Sequence, residues 1–237
     1  MNCTLGRIVR CLDLFCGSGG ASAGLHRVGF DVTGVDINPQ PHYPFKFIQG
    51  DALEQDLTGF DFVWASPPCQ AFTAMQHIRK NAHKHPDLIA PMRDKLTAWG
   101  GAWVIENVKG APLRNATMLC GTMFGLRIVK HRYFETSWEM PVLLPLPECD
   151  HSDVYDPWHG KRNIKEMQAA QETPWIPAGG GTGKSGVRAT CVNNAIPPAY
   201  SEWIARQWLS TSNATHEGRA IGRTVDGIVG NLNGGDA

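Results

Sequence analysis

Between Arg7 and Glu135, short apolar runs alternate with helical or loop stretches, the pattern of a parallel sheet built from βαβ units. The first run, Ile8–Phe15, leads into a glycine-rich turn, Cys16-Gly-Ser-Gly-Gly20, and a helix is predicted over Ala21–Val28. Further strands are predicted at Asp31–Val35, Phe45–Gln49, Phe60–Ala65, Trp103–Glu106 and Arg127–Glu135, with helices over Pro86–Trp99 and Pro112–Phe124. The character changes after Thr136. Pro141, Pro145, Pro147 and Pro157 forbid long regular elements, so 136–160 is expected to be irregular. Asn163–Gln171 returns to a helical pattern, Ala178–Gly186 (AGGGTGKSG) is a flexible glycine loop, and Pro198–Leu209 closes as an amphipathic helix. Few large apolar residues follow Ser210, and a disordered tail is expected there.

A length of 237 residues at 42% hydrophobic content suits one domain with an insertion or a small accessory lobe. No apolar run approaches the roughly 18 residues of a membrane helix, and the first ten residues hold no signal-peptide core. Seven scattered cysteines, an odd number without a CxxC pair, point to reduced thiols in a cytoplasmic setting rather than to a secreted disulfide frame. Lys+Arg and Asp+Glu balance at 22 each. That excludes a globally basic nucleic-acid binder, so any contact with a polyanion needs a local patch.

The glycine turn sits at the carboxyl end of the first strand, where open α/β sheets bind ligands. Its spacing fails the GxGxxG fingerprint, which argues against a dehydrogenase. Asp36 ends the second strand, placed to hydrogen-bond a ribose hydroxyl pair, and Asp51 follows the third, where it could accept from an exocyclic amine. Each acid alone reads as a loop residue or helix cap; as an ordered set, one per strand end, they favour a nucleoside-bearing cofactor. In Ser66-Pro-Pro-Cys-Gln70 two prolines fix a rigid extended turn that holds Cys69 at the same sheet edge, which makes that thiol a candidate nucleophile. Glu106 ends an apolar strand, where partial desolvation would raise its pKa toward general-acid use; a cap or structural ion pair is the plainer alternative. Lys130–Glu135 (KHRYFE) is a cationic strand whose plain reading is a charged sheet edge. His77–His85 (HIRKNAHKH) is a basic loop suited to phosphate contact beside Cys69. Cys149, His151 and His159 could ligate zinc, but no fourth ligand is evident, and no metal site is expected.

Taken together, DLFCGSGGASAGL (13–25), GVDIN, QGDA, SPPCQAF (66–72), IENV (105–108), KHRYFE (130–135) and NNAIPPAY (193–200) resemble the cytosine-C5 DNA methyltransferase family, in that family's order. PPCQ with a downstream ENV is the specific part, since amino-directed methyltransferases place an aromatic residue after the two prolines. The compact layout is similar to small bacteriophage or prophage methylases, some of which work alone and some beside a restriction enzyme. The resemblance implies an α/β, Rossmann-like fold with a mixed seven-stranded sheet that binds S-adenosyl-L-methionine, interrupted by a short, irregular target-recognition insertion. Residues 1–135 would form the catalytic and cofactor core and 136–187 a reduced target-recognition region with its connecting helix. Residues 188–210 would be a return segment completing the core, and 211–237 the tail.

By the same resemblance, Phe15, Cys16, Gly17, Ser18, Gly19 and Gly20 line the cofactor, with Asp36 on its ribose and Asp51, followed by Ala52, at its adenine amine. Ile37 replaces an aromatic residue that stacks on adenine in many members, which would weaken that contact. Pro68, Asn194 and Ala195 complete the pocket. Cys69 would add to cytosine C6, Glu106 would act at N3, Arg132 would contact O2 with Lys130 in support, and Asn107 would order the loop around Glu106. The target base must be flipped out of the duplex. Asn193 stands where the family has glycine, a change expected to alter that turn. The implied partner is double-stranded DNA, with no membrane, and the expected form is a monomer, with oligomers left open. The rival readings are a tRNA cytosine-5 methyltransferase, which shares the PCQ and ENV apparatus, and a catalytically silent binding protein of the same fold.

Overall fold

The computed structural model describes residues 7–72, 86–140, 148–152, 154, 164–176 and 187–211. The His77–His85 and Ala178–Gly186 runs, His159 and residues 212–237 lie outside the described residues. Seven strands form one sheet: β1 (Arg10–Leu14), β2 (Asp31–Asp36), β3 (Lys46–Gln49), β4 (Phe62–Ala65), β5 (Ala102–Asn107), β6 (Thr117–Leu119) and β7 (Arg132–Thr136). Their spatial order is β3-β2-β1-β4-β5-β7-β6. The first five run parallel, and β7 is antiparallel to both β5 and β6. The mixed seven-stranded sheet of an α/β methyltransferase fold is therefore present.

Side-chain alternation along each strand sorts the core into two faces. Phe62, Trp64, Cys11 and Val104 point to one side, where α1 (Gly20–Arg27) and α5 (198–211) cover them through Leu25, Tyr200 and Ile204. Val63, Ala65, Leu12, Leu14 and Ile105 point to the other side, against Ile89, Met92 and Leu96 of α2 (Ile89–Trp99). A third cluster joins α3 (Ile164–Ala170) and α4 (Val187–Asn194) through Met167 and Val192, with Ile128 and Ile176.

Most element bounds fall within a residue or three of the sequence expectation. One expectation is overturned: Pro112–Phe124 is not a helix. Asn115 adopts φ 46, outside helical geometry, Thr117–Leu119 pairs with β7, and only Gly121–Phe124 makes a single 3-10 turn. The β-branched Thr117 and an open sheet edge outweigh the weak helical pattern. The strand expected over Arg127–Glu135 is confined to Arg132–Thr136. Helix α4 was not expected, and α5 runs on through Thr211, into the segment expected to be tail.

The strand order reverses between β1 and β4, since the chain first adds β2 and β3 on one side of β1 and then crosses to the other. Ligand-binding crevices open at the carboxyl ends of strands at such a switch point. The glycine turn after β1 and the Pro-Pro-Cys turn after β4 both begin there, because Leu14 is registered against Ala65.

Candidate active site

The turn after β1 departs from the strand at once. Phe15 takes φ 59, a left-handed conformation that costs a non-glycine residue about 1–2 kcal/mol. Gly17 and Gly19 follow at φ 50 and 82, where glycine is the unstrained choice. The Cys16 N–H donates to Val35 O at 3.0 Å and the Gly17 N–H to Asp36 Oδ2 at 3.1 Å, so the end of β2 holds the turn. Trp175 Nε1 donates to Ser18 O at 2.8 Å from the far side. Gly20 is dictated by packing: a Cβ there would stand 2.3 Å from Ile196 O, in the segment joining α4 to α5.

The Pro67-Pro68 turn ends where Cys69 starts a 3-10 turn over Cys69–Ala71. Asn107 Nδ2 donates to Pro67 O at 3.0 Å, tying the end of β5 to this turn. Cys69 is half-buried, whereas Cys11, Cys16 and Cys120 are buried. Glu106 is 5% exposed, and Arg132 Nε lies 3.1 Å from its Oε1. Strand pairing explains the encounter, because β7 runs back along β5 with Glu106 opposite Phe134, two residues from Arg132.

Burial pushes the Glu106 carboxyl above its ordinary pKa, against the opposing pull of Arg132, Lys130 and a Ser66 hydrogen bond. The Cys69 thiol is also raised, first by burial and then by the Glu106 charge, while Arg132 pulls it down. An acid that can hold its proton and a thiol that must be relieved of one thus face the same guanidinium.

A cavity of about 840 Å³ joins the two turns. From the first turn it takes Phe15, Cys16, Gly17, Ser18 and Gly20. From the second it takes Pro68 and Cys69, with Glu106 and Arg132 behind them. Asp36, Ile37, Asn194 and Ala195 close the remaining walls. Gly19, Asp51 and Ala52 do not line it: Gly19 packs on the Tyr43 ring, Asp51 turns its carboxylate to the Leu53 N–H, and Ala52 is in the core.

Lys130, expected in support of Arg132, sits behind the cavity, where its charge still acts on Glu106 and Cys69. Its Nζ donates to Gln171 Oε1 and Asn193 O, both at 2.9 Å, and to Ala195 O, so it anchors the return segment and does not line the cavity. Burial drives its pKa well down. Asn193 lies inside α4 and has no positive φ, so no glycine is needed there.

Sequence reasoning missed Asp13, Cys191, Ile176 and the Pro39–His42 stretch, which also line the cavity. For Asp13 a signal was present, a lone carboxylate inside an apolar strand. It is 1% exposed, accepts a hydrogen bond from Ser22, and is pushed up to about 7 chiefly by burial. Its Oδ1 has no partner among the described residues.

Residues 9–118 match the family model described as C-5 cytosine-specific DNA methylase. A stretch of 123 residues, 43% of this chain, is 31% identical to the human tRNA (cytosine(38)-C(5))-methyltransferase, of which it spans 31%. The fold is similar to that of the Entamoeba histolytica methyltransferase EhMeth, with a TM-score of 0.61 at 11% identity over 86% of this chain and 99% of that one. It is also similar to the S. pombe Dnmt2 methyltransferase, with a TM-score of 0.56 at 14% identity over 86% and 99%. At such identities the structural likeness is one of fold. The family's cofactor is S-adenosyl-L-methionine. The glycine turn, Asp36, Cys69 and Glu106 all lie within the residues that match this family model.

Proposed function

We propose that this chain is a DNA cytosine-5 methyltransferase with Cys69 as its nucleophile. The observation that carries this reading is the meeting of Cys69, Glu106 and Arg132 on one cavity with the glycine turn and Asp36. S-adenosyl-L-methionine, when bound, supplies an electrophilic methyl group for C5. The residues present fit that cofactor. The cavity volume lies in the small-molecule range, Ile37 offers an apolar surface that is 65% exposed, and the buried Asp13 oxygen awaits a polar partner. Asp36 would take the ribose hydroxyls, and the Phe15–Gly20 backbone, Asn194 and Ala195 would close around the rest.

Cytosine C5 is a poor nucleophile until the ring is made enamine-like. The Cys69 thiolate forms an S–C6 bond, and the displaced π electrons make C5 nucleophilic. Glu106, whose hold on a proton burial strengthens, donates at N3 and offsets the charge produced by that attack. Arg132 stabilises the same charge and steadies the Glu106 carboxyl. Once C5 carries the methyl group, its proton passes to solvent, the C5–H electron pair re-forms the C5=C6 bond, the S–C6 pair leaves with Cys69 as thiolate, and the N3 proton returns to Glu106. Asn107 holds the Pro67 turn and so positions the sulfur. A stacked base cannot be attacked this way, and flipping it out costs about a few kcal/mol. Residues 136–187 form a short target-recognition region in this reading, which fits a short or relaxed target sequence.

A tRNA substrate is the second reading, favoured by the 31% identity to the human tRNA enzyme. Methyl incorporation from labelled cofactor into duplex DNA and into tRNA separates the two. Bisulfite sequencing of plasmid from cells expressing wild type or Cys69→Ala tests the nucleophile. Modified cytosines with wild type alone are expected; equal signals from both would overturn the assignment.

A further inference from the structure

Away from the catalytic cavity wall, two cysteines and two histidines converge. Cys120 Sγ lies 3.6 Å from His151 Nε2, and Cys149 Sγ lies 3.8 Å from His131 Nε2. One ligand atom from each of the four residues lies within 4.8 Å of every other. The imidazole rings of His131 and His151 lie with centroids 5.1 Å apart, tilted by 39°. In a tetrahedral zinc site with two sulfur and two nitrogen ligands, bond lengths of about 2.3 and 2.05 Å place neighbouring S and N atoms about 3.6 Å apart and the two sulfurs about 3.8 Å apart. The two S–N distances, 3.6 and 3.8 Å, match a tetrahedral edge, and the other pairs, all within 4.8 Å, come into range by contracting about an ion.

We propose that Cys120, His131, Cys149 and His151 bind a structural zinc ion. The donor set selects the metal: two thiolates and two imidazoles suit zinc and reject magnesium and calcium, which need oxygen. The topology explains how four residues so far apart in sequence meet. Cys120 follows the last residue of β6 and His131 precedes the first residue of β7; Leu119 pairs with Arg132, so the two ligands extend the same antiparallel ladder. Cys149 and His151 come from the later segment with one residue between them. Thr122 Oγ1 donates to Cys120 Sγ at 3.4 Å, the kind of outer hydrogen bond that orients a thiolate ligand.

Such an ion clips residues 148–152 to the open edge of the sheet. Small structural units gain most from a staple of this kind. It also fixes His131, whose carbonyl accepts a hydrogen bond from Arg132 Nη1 at 2.9 Å, so the clip steadies the arginine that faces Glu106.

The test is zinc content of the full chain, purified under reducing conditions, incubated with zinc chloride and exchanged into metal-free buffer. About one zinc per chain is expected. Cys149→Ser and His151→Ala should each lower retention at least about tenfold, while Cys69→Ala should keep it, since the ion does not depend on the methyl-transfer chemistry. Cobalt substitution of wild type should give the intense visible bands of a tetrahedral thiolate site, a readout that needs no variant to fold. Wild type that holds less than about a tenth of an equivalent, zinc that survives both substitutions, or a Cys120–Cys149 disulfide formed with zinc present would overturn the proposal.

Discussion

Replacing Asp13 by Asn isolates the cost of a charge inside the first strand. Asp13 lies in β1 on the α1 face of the sheet, with Ser22 donating to Oδ2, Oδ1 unpaired, and the Asp36 and Glu106 charges adding to the desolvation penalty. Its pKa is pushed up from 3.8 to about 7, so between these limits the folded chain binds a proton that the unfolded chain has released. Stability from this group is complete below pH 3.8 and falls as pH rises through about 7. At about 1.4 kcal/mol per pH unit, the gap amounts to about 4 kcal/mol, of which about 2.5 kcal/mol is lost between pH 5 and 8. Asn cannot ionise, and its Nδ2 can donate to the Ser22 hydroxyl, whose hydrogen is then free for Tyr43 Oη at 2.7 Å. Urea unfolding of both proteins from about pH 5 to 8 gives a difference in which titrating groups not coupled to Asp13 cancel. Asp13→Asn should gain on wild type by about 2.5 kcal/mol across that range. A flat difference, or a wild type that gains on the variant as pH rises, would refute the reasoning.

Glu106→Gln removes the charge that raises Cys69, so iodoacetamide should alkylate Cys69 faster near neutral pH while methyl transfer falls about 100-fold or more; slower alkylation would contradict the assigned coupling. Glu135→Ala strands the buried Arg93, which now donates from Nε and Nη2 to the Glu135 carboxylate at 2.6 and 2.7 Å, and should cost about 3–5 kcal/mol in denaturant unfolding. Gly20→Ala pushes a methyl group against Ile196 O; calorimetric titration should show weaker cofactor binding, and unfolding a loss of about 1–3 kcal/mol, whereas unchanged values would mean that α1 does not meet the return segment so closely.

The alternation Phe62-Val63-Trp64-Ala65 settles which sheet face each residue serves before any neighbour is known, because the β period is a property of the backbone. The same holds for Gly17 and Gly19, whose positive φ is a local steric matter. Cys69 and Glu106 were legible for a related reason: each stands at the end of an apolar run, so parallel pairing alone brings both to one edge. Other features depend on contacts across long stretches of chain. Thr117–Leu119 is a strand because β7 offers it an edge, and Lys130 is an anchor because the carbonyls of Asn193 and Ala195 arrive beside it. Cys120 and His131 face Cys149 and His151 only once β6 and β7 have paired and the later segment has returned. Periodicity and turn sterics act between near neighbours and are therefore written locally. Which distant groups become partners is decided by strand register and by burial, and neither quantity exists until the chain has folded.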